Sequence, residues 1–234
     1  MNELSNLPKV LFTTELSAKQ QKLLDSTTFT VTSIPFISFS IIDAKQWQHQ
    51  VPENYDSWIF TSKRAVEAVK PAINSLLLPD HIFAVGGKTA QKLEELSLSP
   101  EVPKEYNLKA LAKRMRDFKI ENIVQFCGNL RAGDLSEYLE DNMEVTSIEV
   151  YRTTFQPQKI EVSEFDSFVF MSPSAVESFH QKNTLNVVST IFCIGPTTAN
   201  ALEHFGIMNY VMPEKSTLNS LAESIHKFYS NVIS

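Results

Sequence analysis

Short apolar runs recur along this chain, each ending at Gly, Ser, Thr or Pro and followed by apolar positions at helical spacing. The pattern predicts strands that alternate with helices. Strands are expected at Lys9–Thr14, Phe29–Phe39, His81–Val85, Asn122–Cys127 and Glu144–Phe155. Phe29–Phe39 is interrupted by Pro35, which cannot donate to a ladder and suits an edge or a crossing between lobes. Helices are expected at Ser17–Asp25 with Ser17 as N-cap, at Ala44–Gln50 and at Thr89–Leu96. Further helices are expected over Leu108, Leu111, Ala112 and Met115, and from Gly128-Asn129-Leu130-Arg131 to about Glu140. Tyr55–Val69, Asp166–Phe179 and Ile191–Phe205 each read as a buried strand that turns directly into a helix.

The pattern repeats. Asp166–Phe179 copies Asp56–Val69, Thr190–Phe205 copies His81–Leu96, and Met212–Ile225 copies Val102–Met115, at an offset of 109 or 110 residues. Val31–Ile34 recurs as Val145–Ile148, and Val10–Phe12 resembles Val124–Phe126, at an offset of 114. Five ordered blocks imply two similar α/β lobes, each a parallel sheet with helices on both faces. A duplicated pair of such lobes is expected to leave a cleft. Ligands of α/β sheets sit beyond the carboxyl ends of the strands, where every turn named above lies.

Those turns carry the candidate chemistry. In Ile191–Phe205, Gly195 permits a close turn, Pro196 suits the first helical position, and Thr197 and Thr198 offer hydroxyls. A helix start there presents N–H groups and partial positive charge to an anion, although empty turns of this kind are common. Gly86, Lys88 and Thr89 form the matching turn. Ser172, Pro173 and Ser174, and Thr61, Ser62, Lys63 and Arg64, read as helix caps. Lys63 and Arg64 are either solvated charges or anion partners, and their place in a helix's first turn favours a partner. Gly128 and Asn129 end another strand. Tyr151 is either a core aromatic with its hydroxyl at the rim or a proton donor in the cleft.

Composition narrows the class. The chain has 234 residues, 43% of them hydrophobic and 21% charged, as in a soluble globular protein. No signal peptide and no membrane span is expected. A formal charge of −6 argues against broad nucleic-acid binding but leaves a small anionic ligand open. Cys127 and Cys193 lie in apolar strands and read as buried thiols of a reducing compartment. His49, His81, His180, His204 and His226 show no metal-ligand spacing, and neither a Walker loop nor a Gly-x-Gly-x-x-Gly turn is present, so no metal or cofactor is expected.

The ordered set IFTSKRAVEAV, AVGGKTA, FCGNLR, SIEVYRT, VFMSPSAVESF and CIGPTTANAL resembles the uroporphyrinogen-III synthase family, from about Val10 to Ile225. The resemblance implies two flavodoxin-like α/β lobes with parallel sheets, joined by a two-stranded connector, with a cleft between them. Lobe one would be residues 1–36 with 155–234, and lobe two residues 37–154; the repeat alone suggests a cut near residue 120. It implies a cyclising lyase of tetrapyrrole synthesis without a cofactor. The substrate would be hydroxymethylbilane, a linear octacarboxylate that loses water and closes to uroporphyrinogen III with its last ring inverted through a spiro intermediate. Tyr151 matches the family's cleft tyrosine, and Thr197 and Thr198 its Gly-x-Thr-Thr-Ala turn. Gly195, Ser172, Ser174, Thr61, Ser62, Arg64, Gly86, Thr89, Gly128 and Asn129 match positions around the substrate. A cytoplasmic monomer is expected, to which hydroxymethylbilane synthase could hand over the substrate. The alternatives are a non-catalytic two-lobed sensor of small anions and a flavodoxin-like electron carrier, the latter disfavoured by the missing phosphate loop.

Overall fold

The computed structural model describes residues 7–130, 133–185 and 188–232. The chain divides into two compact units, residues 1–38 with 154–234, and residues 39–153. We call them the discontinuous and the continuous unit. Both are α/β, with largely parallel sheets.

The discontinuous unit is built on a four-stranded sheet of β1 (Lys9–Phe12), β2 (Thr30–Ser33), β8 (Ser167–Phe170) and β9 (Thr190–Cys193), in the order β2-β1-β8-β9. A bridge from Phe192 to Val211 begins a fifth position beyond β9. Its helices are α1 (Ala18–Lys22), α6 (Pro173–His180), α7 (Pro196–His204) and α8 (Leu218–Val232). The continuous unit holds β4 (Ser57–Phe60), β5 (His81–Ala84), β6 (Asn122–Gly128) and most of β7 (Glu144–Phe155). Its helices are α2 (Ala44–Trp47), α3 (Lys63–Val69), α4 (Gly87–Glu94) and α5 (Leu108–Met115). With β3 at Ile37–Ile41, the five-stranded sheet runs β3-β7-β6-β4-β5, and Phe83 bridges to Glu101 beyond β5. β3 and β7 are neighbours in this sheet and carry the chain across the division at residues 38–39 and 153–154.

These strands form because both faces are covered, so apolar residues run without interruption and alternate between two cores. Trp58 and Phe60 of β4 pack with Val66 and Val69 of α3, Leu93 of α4 and Trp47 of α2. Ile59, between them, packs on the opposite face with Leu111 and Met115 of α5. In β8, Phe168 and Phe170 join Val176 and Phe179 of α6 and Leu202 of α7, while Val169 meets Leu221 and Ile225 of α8. Each unit is therefore a helix–sheet–helix sandwich. Truncating a buried aromatic such as Trp58 to Ala would cost about 3–5 kcal/mol.

Two expectations need correction. The continuous strand expected at Phe29–Phe39 is two strands, β2 and β3, in different sheets, with Pro35 in the break. Pro35 has no N–H for a ladder, and its neighbours Ile34 and Phe36 bond instead to Phe12 and Thr13. The helix expected up to about Glu140 is a single 3-10 turn at Leu135–Tyr138. Gly133 stands at φ +91, outside helical space, and Asp134 caps the short turn through Ser136. Arg131, named in the same motif, lies outside the described residues.

Candidate functional site

The strands of both sheets end at the expected turns. Ser62 caps α3 by accepting from the Ala65 N–H at 3.2 Å, and Ser172 caps α6 from the Ala175 N–H at the same distance. The Ser172 and Ser174 hydroxyls lie 3.2 Å apart. Helices α4 and α7 differ. Their N-caps are Gly86 and Gly195, which have no side chain to accept from the first-turn N–H groups. Thr89 and Thr198 N–H groups turn back to the Gly86 and Gly195 carbonyls, each at 3.0 Å. A glycine cap brings no side chain of its own to the first-turn N–H groups. Thr89 and Thr198 are buried, Thr198 to 1% exposure, whereas Thr197 is exposed. Lys88 is also exposed.

Something covers each of these glycines, and the sequence reading missed it. The Tyr106 ring lies beside Gly86, 3.7 Å from where a Cβ would stand, and its hydroxyl would lie 3.1 Å from a Cβ on Gly87. Tyr106 is itself 67% exposed. In the discontinuous unit Ser216 takes the corresponding place, and its Oγ would collide with a Cβ on Gly195. Both residues lie in aperiodic loops ahead of α5 and α8, so no hydrophobic pattern marks them.

The densest chemistry lies in the continuous unit. The Ser62 hydroxyl accepts from Ala65 and donates its own hydrogen to the Tyr151 hydroxyl oxygen at 3.1 Å. That oxygen is an acceptor in this bond, which leaves the phenol hydrogen available to another partner. The Tyr151 ring lies against Gly128, where a Cβ would come within 2.5 Å of Cε2 and Cζ. Gly128 pairs with Tyr151 after a register shift in the β6–β7 ladder. Asn129 fixes the next step: its Oδ1 accepts from the Thr153 N–H at 2.7 Å, and its Nδ2 donates to the Thr153 carbonyl at 3.0 Å. Both arms of the Asn129 amide are thus engaged with the backbone 24 residues on.

Arg64 completes the cluster. Its guanidinium carbon lies 3.4 Å from the centroid of the Phe39 ring. Among the described residues no carboxylate pairs with it within 4.0 Å. Burial pulls its proton affinity below the ordinary value, and attraction to Tyr151 and then Glu67 opposes that. Thr61, which follows β4 directly, is half-buried. Thr61, Ser62, Arg64, Gly128, Asn129 and Tyr151 therefore gather at one sheet edge, with Gly86 and Thr89 on the neighbouring turn. Ser172, Ser174, Gly195, Thr197 and Thr198 hold the matching edge of the discontinuous unit. Cys127 and Cys193 are buried, and neither forms a disulfide. Burial pushes the Cys193 thiol up to about 11, which removes it as a nucleophile.

Two duplicated parallel α/β units, with glycine-capped helix starts at the strand ends and a tyrosine–serine–arginine cluster in one of them, define a duplicated α/β class of protein. The family model described as Uroporphyrinogen-III synthase HemD matches residues 18–223. The chain belongs to the uroporphyrinogen-III synthase family, and it is an enzyme of tetrapyrrole synthesis. Solved structures agree in fold. A mutant uroporphyrinogen III synthase from the extremely thermophilic bacterium Thermus thermophilus is 19% identical with a TM-score of 0.73, over 96% of this chain and 99% of that one. A uroporphyrinogen-III synthetase from Helicobacter pylori is 16% identical with a TM-score of 0.61, over 95% and 100%.

Proposed function

We propose that the chain is a lyase that dehydrates and cyclises hydroxymethylbilane to uroporphyrinogen III, inverting the last pyrrole ring. Family membership over residues 18–223 carries the reading. Substrate carboxylates are held at the starts of α4 and α7, whose glycine caps bring no side chain of their own to the first turn, and by the Thr197, Ser172, Ser174 and Thr61 hydroxyls. Thr89 and Thr198 act from beneath, through the turns they close.

Tyr151 is the acid. Its hydroxyl gives a proton to the hydroxymethyl oxygen, the C–O bond breaks, and water leaves with the bonding pair. The cationic carbon is attacked by the last ring, which inverts through the spiro intermediate. A proton lost from that ring on closure returns to the phenolate, so the tyrosine is regenerated and the net loss is one water. Ser62 supports this by donating to the Tyr151 oxygen, which aims the phenol hydrogen elsewhere. Spontaneous closure gives the uninverted isomer, so the main task is to hold one folded geometry. Binding through helix ends also suits a protein of charge −6 acting on an octacarboxylate. The enzyme works as a cytoplasmic monomer that receives its unstable substrate from hydroxymethylbilane synthase.

The test is to supply hydroxymethylbilane, oxidise the products and resolve the porphyrin isomers. Isomer III in excess over isomer I is expected. Isomer I at the spontaneous rate would leave the anion sensor in its place.

A further inference from the structure

Phe39 carries none of the roles assigned so far, yet it is a large apolar side chain 39% exposed at the start of the continuous unit. Its ring forms the floor under the Arg64 guanidinium, 3.4 Å from ring centroid to Cζ. That is the spacing of a flat stacked pair, with the guanidinium N–H groups directed outward around the ring's edge. Arg64 has no carboxylate partner within 4.0 Å among the described residues, and Tyr151 is the first of the groups whose attraction offsets the effect of its burial. Ser62, two residues before Arg64, donates to the Tyr151 oxygen. The helix start that hydrogen-bonds the phenol therefore also carries the cation.

We propose that Phe39 is a positioning residue for the Arg64–Tyr151 pair, and that the inference rests on the acid role given above to Tyr151. A free arginine side chain samples many rotamers, and each must be frozen when the charge is needed. Stacking on Phe39 freezes them beforehand. The cation is then held ready on the helix that meets the phenol, and a cation near an oxygen that becomes negative as its proton departs favours the ionised form. Phe39 touches neither substrate nor proton; it acts through Arg64. The dependence is one-way along the chain Phe39, Arg64, Tyr151, which gives the inference a sharp test.

Phe39→Leu, Arg64→Gln and the double variant are assayed for kcat, KM and the isomer III fraction, and Phe39→Tyr is the conservative control. Phe39→Leu is expected to lower kcat about tenfold with KM changed by less than about twofold. In the Arg64→Gln background the same change is expected to add nothing, because the cation it positions is gone. Phe39→Tyr keeps an aromatic floor and is expected to retain most of kcat. An equal loss in both backgrounds overturns the proposal, since a packing role would persist without Arg64. So does an unchanged kcat in Phe39→Leu, or a loss confined to KM. Wild-type protein that makes only isomer I would instead overturn the acid role itself, which keeps the two failures apart.

Discussion

Ser57 and Ser167 begin matching strands, β4 and β8, and both side chains are buried. Ser167 shares a hydrogen bond with the Tyr229 hydroxyl, whereas Ser57 Oγ has no hydrogen-bond partner among the described residues. The reason is helix length. α8 runs from Leu218 to Val232 and delivers Tyr229, while its counterpart α5 stops at Met115. Most of the frame is nevertheless copied bond for bond. Asp56 pins the start of β6 and Asp166 the start of β1; Ala84 and Cys193 N–H groups reach the Glu101 and Val211 carbonyls. The difference grows toward the strand ends. At the place of Thr14 the continuous unit has Gly128, with the Tyr151 ring against it. Duplication kept what holds the sandwich, and the rim diverged: in the continuous unit a tyrosine ring lies against the glycine that ends β6.

The comparison can be broken most forcefully at Gly128. Gly128→Ala would drive a methyl into the Tyr151 ring, and a displacement of that size is expected to cost about 100-fold in rate. Thr14→Gly, at the matching position, is expected to leave the rate within about threefold, because the bond it accepts from the Ser33 hydroxyl is made by its backbone carbonyl. Steady-state kinetics with the isomer assay checks both.

Ser62→Ala and Ser172→Ala sharpen the contrast. Each removes a helix cap and is expected to cost about 1 kcal/mol in denaturant unfolding. Ser62→Ala also loses the bond to Tyr151, so its kcat should fall about tenfold further than that of Ser172→Ala. Equal kcat losses would make Tyr151 and Ser172 equivalent rim residues.

Smaller effects address the frame. Tyr229→Phe leaves Ser167 as Ser57 already is and is expected to cost about 1–3 kcal/mol, while Ser57→Ala should be near neutral. Denaturant midpoints report both. The smallest effect concerns acid. Asp56 accepts the Asn122 and Glu121 N–H groups, which hold its carboxyl below the ordinary value. A carboxyl lowered in the folded state contributes stability that is fully present above the unfolded value, about 3.9, and is lost as pH falls through the lowered one. Asp56→Asn should therefore flatten stability between about pH 4 and the acid transition and leave its slope at neutral pH unchanged.

Much of this was legible in the chain. The Ser17, Ser62 and Ser172 caps, the strand-to-helix turns and the duplication follow from local chemistry repeated at a fixed offset. What stayed hidden depends on residues far apart in sequence. Asn129 reads as a rim donor, and only its pairing with Thr153 reveals an amide turned to the backbone. Thr198 reads as a ligand, yet it is buried and Thr197 carries the exposed hydroxyl. Tyr106 over Gly86, and Phe39 under Arg64, join aperiodic or edge positions to a turn, and no periodicity connects them. The break at Pro35 was visible as an interruption, but the change of sheet needs the pairings.

The strand order has a consequence for synthesis. The ribosome releases all of residues 39–153 in one stretch, so the continuous unit can close while translation proceeds. β1 and β2 emerge first but await β8, whose arrival at Ser167 comes on the order of ten seconds later. Through that interval Val10, Phe12 and Phe29, the inside of a finished sandwich, are left wet. The oldest part of the nascent chain is thus the last to be sheltered, and it is where a holding chaperone would have the most to grip.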